Sequence, residues 1–243
     1  MKVIDDLIST IREDSAVRQV NTCIFWTSVI SRHCGLASTI REAGSHHGSY
    51  PVKEAGSLTA KTALELAQMA YSSSVAEASI GMAAINSLID IDLSRCEEKN
   101  AFEILRRRGT GKKIVIVGHF PFVSKLKETA ERLWVLEKQP QEGDLAEEEA
   151  ERILPQADVV GMSGTVLINH SFERLMPLCR GRFVVMLGPS TPLAPVLFEH
   201  GVDVVSGVKV TEPDTVIRMI SEGASFKQLQ GVQLLTMTRG TTG

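Results

Sequence analysis

His119 stands at the most chemically suggestive point of this chain. It follows the apolar run Ile114–Val117 and Gly118, and precedes Phe120, Pro121 and Phe122, in the stretch KKIVIVGHFPF from Lys112 to Phe122. An imidazole titrates near neutrality, so His119 suits acid–base work or hydrogen bonding to a ligand. Phe120 and Phe122 offer flat faces to a planar molecule, although core packing is the competing use of at least one ring. Similar turns recur downstream. Gly161–Thr165 brings Ser163, Gly164 and Thr165, with Asn169 close behind. Gly188–Pro192 brings Gly188, Ser190 and Thr191, and Ser206-Gly207 forms a fourth turn. Glycines let backbone approach a ligand closely, and hydroxyls and amides supply polar contacts. Plain N-capping is the alternative role for Ser163 and Thr165.

Glu137 lies nineteen positions after Gly118. In dinucleotide-binding folds an acid about 20 residues on holds ribose hydroxyls. The turn GHFPF lacks the pattern GxGxxG, which argues against a pyrophosphate loop and ordinary NAD binding. A nucleoside-like or heteroaromatic ligand held partly by Glu137 stays open, beside the reading of a solvated strand-end acid. No GxSxG elbow marks a serine nucleophile. His46 and His47 are the candidate metal ligands, with His33, Cys34 and Glu42 near in sequence. Adjacent side chains rarely face one ion, and neither HExxH nor CxxC spacing occurs, so an exposed histidine pair in a loop is the competing reading.

These residues need elements to position them. Val3, Ile4, Leu7, Ile8 and Ile11 form the stripe of an opening helix. Val17–Ile30 reads as β-structure, turning at Ser31–His33 into CGLAST. Residues 41–58 read as a long loop. Helices are expected over Thr59–Tyr71, from Ser74 to about Ile89, and over Glu97–Arg108. Capping boxes introduce the last two, Ser74 with Glu77 and Ser94 with Glu97. Gly109–Gly111 is the expected linker, dividing the chain into units 1–108 and 109–243. The second unit alternates strands (113–117, 132–137, 158–161, 182–187, 203–206) with helices (122–130, 145–153, 166–178, 193–200, 213–222). Asp144 with Glu147 reads as a cap for the second of those helices. The alternation predicts an α/β, doubly wound and mostly parallel sheet, with VQLLTM adding an edge strand. Its strand-end turns should converge on one edge, where such sheets bind ligands.

The chain has 243 residues, 43% hydrophobic and 23% charged, with a formal net charge of −3. That balance makes no electrostatic case for nucleic acid. Arg106–Arg108 ends a predicted helix, where cations meet the helix dipole. Apolar runs are too short for a membrane span, and the first residues do not read as a signal peptide. Four scattered cysteines (23, 34, 96 and 179) fit a reducing, cytoplasmic setting.

Taken together, FWTSV (Phe25–Val29), CGLAST (Cys34–Thr39), the histidine pair, IGMAAINSL (Ile80–Leu88), VGHFPF (Val117–Phe122), SGTVLIN (Ser163–Asn169) and GPSTPL (Gly188–Leu193) resemble the heavy-metal-chelation family of uncharacterised prokaryotic proteins. The resemblance spans nearly the whole chain. It implies an enolase N-terminal-like α+β domain followed by a Rossmann-like domain, with a ligand cleft between them. It also implies partial likeness to Rossmann methyltransferases, and condensation or hydrolysis of pterin-, flavin- or siderophore-like molecules in heavy-metal handling. Carried across, His119, Ser163, Thr165, Asn169, Ser190 and Thr191 would line the Rossmann side, and Glu42, His46, His47 and Asn86 the other. The leading expectation is a small-molecule site with His119 moving protons, whether or not the protein is an enzyme. A non-catalytic binder of a metal–chelate complex and an S-adenosylmethionine-dependent methyltransferase are the alternatives. A heavy-metal ion or its chelate is the cofactor so implied. The expected partner is a small molecule, neither nucleic acid nor membrane, and a homo-oligomer is compatible with the sequence.

Overall fold

The computed structural model describes residues 1–40 and 51–240. The chain opens with α1 (Lys2–Ser9), whose Val3, Ile4 and Leu7 are buried. Three strands follow: β1 (Gln19–Thr22), β2 (Trp26–Ile30) and β3 (Cys34–Ser38). They form an antiparallel sheet in the order β1-β2-β3. The expected turn at Ser31–His33 is present, and a second one at residues 23–25 splits the run Val17–Ile30. Next come α2 (Ala63–Ala67) and α3 (Val75–Leu88). The helix expected over Thr59–Tyr71 is two 3-10 turns flanking α2. Ser74 caps α3 by accepting from the Glu77 N–H. The other half of the expected box is absent, because the buried Glu77 carboxylate instead accepts from the Lys53 N–H and the Ser72 hydroxyl.

The expected third helix starts later than Glu97, as α4 (Ala101–Gly109), capped by the Asn100 side chain on the Phe102 N–H. Glu97 pairs with Thr236 as an isolated antiparallel bridge, and Ser94 lies in a 3-10 turn capped by Asp92. Ile104 and Leu105 of α4 pack on the large sheet described next. The helix assigned by sequence to the unit 1–108 therefore lies against strands of the unit 109–243.

That sheet contains β4 (Lys113–Val117), β5 (Arg132–Glu137), β6 (Leu145–Ala146), β7 (Val159–Ser163), β8 (Phe183–Leu187), β9 (Val204–Val210) and β10 (Val232–Thr238). Its order is β10-β9-β8-β7-β4-β5-β6, with only β10 antiparallel. Counted from β4, the order is 3-2-1-4-5-6 of open doubly wound sheets plus one edge strand. Its helices are α5 (Val123–Lys127), α6 (Ala150–Ile153), α7 (Thr165–Ile168), α8 (Phe172–Leu175) and α9 (Pro213–Ser221). Alternate residues of β4 enter different cores. Val115 and Val117 join the core shared with α1, α3, α7 and α8, whereas Ile114 and Ile116 join that of α4 and α5. Burial on both faces explains the unbroken β-branched run.

Four expected helices are shorter or broken, the one over 122–130 being only α5 (Val123–Lys127). Residues 145–146 pair with β5 as β6 before α6 begins. Residues 166–178 divide into α7 and α8 at His170, whose φ of 62° is left-handed. Residues 193–200 hold one 3-10 turn, Pro195–Phe198. Among the described residues no helix is long and apolar enough to cross a membrane.

Candidate functional site

Strand order reverses between the parallel neighbours β4 and β7: successive strands are added toward one edge from β4 and toward the other from β7. Ligands of open α/β sheets lie in the crevice beyond the strand ends at such a point. A cavity of about 700 Å³ opens there, lined by the turns after β4, β7 and β8, by Ser206, Gly207 and Val208 within β9, and by Trp26 and Ser38 of the antiparallel sheet. The turn expected at Ser206-Gly207 is strand instead, because both residues pair with β10 at Thr236 and Leu235. Both sheets thus contribute walls. Gly118, His119, Phe120, Glu137, Ser163, Gly164, Thr165, Gly188 and Ser190 all line it.

Gly118 and Gly188 have φ of 95° and 111°, which lets the chain leave β4 and β8 sharply. After Gly118 the His119 ring is held by Asp144, with Nδ1 and Oδ2 3.1 Å apart. The Asp144 side chain is only 4% exposed, against 35% for His119. A carboxylate accepts and cannot donate, so Nδ1 carries the proton and Nε2 is the ring's remaining site for chemistry. Asp144 also accepts from the Gln141 N–H. It does not cap Glu147, which is buried against Arg174. Phe120 stacks on Phe122 with ring centroids 5.1 Å apart and 12° between planes. Trp26 forms part of another wall beside Phe226, 5.9 Å between centroids, and its indole N–H donates to the Ala224 carbonyl at 2.9 Å.

The hydroxyls are largely engaged with one another. Thr165 donates to Ser163 Oγ at 2.8 Å. Ser190 Oγ accepts from the Ser38 N–H at 2.8 Å and donates to Ser38 Oγ at 3.1 Å. The glycine N–H groups are committed too: Gly118 to the Leu136 carbonyl, Gly164 to Leu187 and Gly188 to Ser206. They hold turns to neighbouring strands and do not form an open cradle for phosphate.

Three expected residues do not line the cavity. Asn169 Oδ1 accepts from the Ser171 N–H and hydroxyl, shaping the turn between α7 and α8. Asn86 donates to the Leu36 carbonyl at 2.8 Å and the Pro189 carbonyl at 3.4 Å, tying α3 to β3 and to the turn after β8. Thr191 is buried behind Gly164, where its Oγ1 has no hydrogen-bond partner among the described residues. Glu42, His46 and His47 fall outside the described residues. Sequence reading missed Trp26, Ser38 and Asp144. Trp26 and Ser38 lay inside quoted motifs but on the far sheet, and Asp144 gave only a capping signal.

A metal needs several converging donors. Among the described residues no three His, Cys, Asp or Glu gather as a ligand set. Burial pushes the Cys34 and Cys179 thiols up to about 12, which keeps them protonated and poor ligands. The described donors therefore do not fit a preformed centre for a bare heavy-metal ion.

The fold and cavity define a class: a doubly wound α/β protein whose switch-point pocket is completed by a small antiparallel sheet. Within that class the chain belongs to a family described as "Putative heavy-metal chelation", which matches residues 100–238; residues 4–89 match a companion family of the same description. An uncharacterized protein of Methanocaldococcus jannaschii is 26% identical over 94% of this chain and 95% of its own length. The crystal structure of a family protein of unknown function from Desulfitobacterium hafniense DCB-2 has a TM-score of 0.82 at 28% identity, covering 98% of each chain. Another, from Pyrococcus horikoshii, has a TM-score of 0.82 at 20% identity over 98% of each chain, a likeness of fold alone.

Proposed function

We propose that the switch-point cavity binds a small heteroaromatic or chelator-like molecule and that heavy metal reaches this protein as the chelate of such a molecule. The observation that carries the reading is the His119–Asp144 pair on a cavity of about 700 Å³ walled by aromatic rings. That volume suits a drug-sized ligand, and apolar walls with few placed polar groups are the usual build of such sites. The poor fit of the described donors to a bare ion favours a pre-chelated cargo, which agrees with the family's description. In condensation or hydrolysis, His119 Nε2 would take a proton from the attacking group and return it to the leaving group. Asp144 would hold the ring in the tautomer that leaves Nε2 free to accept.

Native mass spectrometry of freshly purified protein is the first test, and a co-purifying small molecule is the expected result. A pterin, a flavin and a catecholate, each with and without nickel chloride, then serve as thermal-shift probes. Organic probes or their nickel complexes should raise Tm, and His119→Ala should reduce that shift. Stoichiometric binding of nickel chloride alone, with no response to the organic probes, would contradict the proposal.

A further inference from the structure

We infer that the ligand of this cavity is of ribonucleoside type: a flat heterocycle carrying a vicinal diol and no bound diphosphate. The inference rests on the small-molecule reading above and names its ligand class. It begins with register. β5 pairs with β4 so that Val117 faces Leu136, and the Gly118 N–H donates to the Leu136 carbonyl. Glu137 therefore ends its strand level with Gly118, lining the cavity that His119 also lines. A carboxylate has two oxygens and about four lone-pair sites. Glu137 uses Oε1 to accept from the Lys138 N–H at 2.7 Å. Its remaining capacity matches the two adjacent O–H donors of a cis-diol, the role an acid plays at this strand end in doubly wound folds.

The second observation is the paired ring face of Phe120 and Phe122 on the same wall. Planar heterocycles pack well against such a face. The third concerns phosphate. A dinucleotide's pyrophosphate needs free backbone N–H groups at the glycine turns. Here the Gly118, Gly164 and Gly188 N–H groups already donate to strand carbonyls. Lys125 and Lys227 lie on the cavity rim, both exposed. Exposed ammonium groups attract anions weakly and do not replace a backbone cradle. Diol recognition and ring stacking are thus provided for, whereas the glycine N–H groups that would cradle a diphosphate are already spent.

Calorimetry on the full chain tests this with adenosine, guanosine, cytidine and uridine, the 2′,3′-dideoxy form of the best binder, and its 5′-diphosphate. At least one ribonucleoside should bind. Its dideoxy form should bind about ten-fold or more weakly, the loss expected when hydrogen bonds to a charged group are removed. Glu137→Gln should shrink that difference, and the 5′-diphosphate should gain less than about ten-fold over the nucleoside. The ribo-against-dideoxy comparison uses unaltered protein, so it stands even if Glu137→Gln folds poorly. Equal binding of ribo and dideoxy forms, a diol preference that survives in folded Glu137→Gln, tight diphosphate binding, or no ribonucleoside binding overturns the inference. A co-purifying molecule without a diol would overturn it too, while leaving the broader small-molecule reading intact.

Discussion

A single proton position separates a positioned base from a surface histidine. Asp144, its side chain nearly buried, accepts from the more exposed His119 ring at Nδ1, and this should fix one tautomer of the neutral ring. Nitrogen-15 NMR of the labelled protein, at a pH where the ring is neutral, should find His119 predominantly protonated at Nδ1. Asp144→Ala should shift that population toward the Nε2–H form. An unchanged tautomer would remove Asp144 from any positioning role. Ser190 gives a second expectation at this scale. It is buried and takes the Ser38 N–H, so Ser190→Ala strands a backbone donor at the seam between the two sheets. Leaving such a group unpaired costs about 1–3 kcal/mol, readable as a lower urea midpoint at unchanged slope. His119, Glu137 and the hydroxyl turns were legible in sequence because each ends an apolar run at a glycine or polar break. Asp144 was not, since its partner lies 25 positions away and carboxylates before an acidic stretch ordinarily suggest a cap.

Elements meet closely where glycine removes a side chain. Helix α3 is apolar almost all round and buried, and it touches neighbours on several sides. A Cβ at Gly81 would run into the backbone of Ala70, and one at Gly35 of β3 would run into the Ala83 carbonyl and the Ser87 N–H of α3. Backbone cannot step aside as a flexible side chain can. Gly81→Ala and Gly35→Ala should each therefore cost about 1–3 kcal/mol or more. Thermal unfolding would show the loss, and a Tm within a degree or so of the parent would refute the close approach. Strand–helix alternation exposed the large sheet in the sequence because its inner strands are buried on both faces. Local signals misplaced other elements for a physical reason: tertiary pairing overrode them. Glu97 gave up a capping role to bridge Thr236, and residues 145–146 joined β5 although acids nearby favour a helix start. The break at His170 depends on its left-handed backbone and on an imidazole contact to the Ala70 carbonyl at 2.8 Å, neither of which leaves a periodic trace.

At the scale of the whole molecule, ionisation links the fold to pH at both ends. His33 with Arg32 holds the Asp90 carboxyl below its ordinary value of 3.8. Partial burial opposes the same effect at Asp14, but hydrogen bonds from Thr62 and the Leu64 and Ser15 N–H groups outweigh it. A carboxyl whose folded pKa is depressed adds stability above its unfolded value and loses it as pH falls through the folded value. Stability should therefore decline below about pH 4, with protons taken up on unfolding. The thiols act at the other end. Burial raises Cys34 and Cys179 from 9.0 to about 12, so the unfolded chain releases their protons first. A raised pKa contributes stability below the unfolded value and loses it as pH rises toward the folded one, here across pH 9 to about 12. The same burial governs reactivity, because the thiolate is the nucleophile. Brief alkylation of native protein at pH 8, read by peptide mass spectrometry, should label the half-buried Cys23 and Cys96 well before Cys34 and Cys179. All four should react alike in denaturant. Early labelling of Cys34 would mean that β3 opens readily from α3, and the cavity wall that continues from β3 through Ser38 would then be mobile as well.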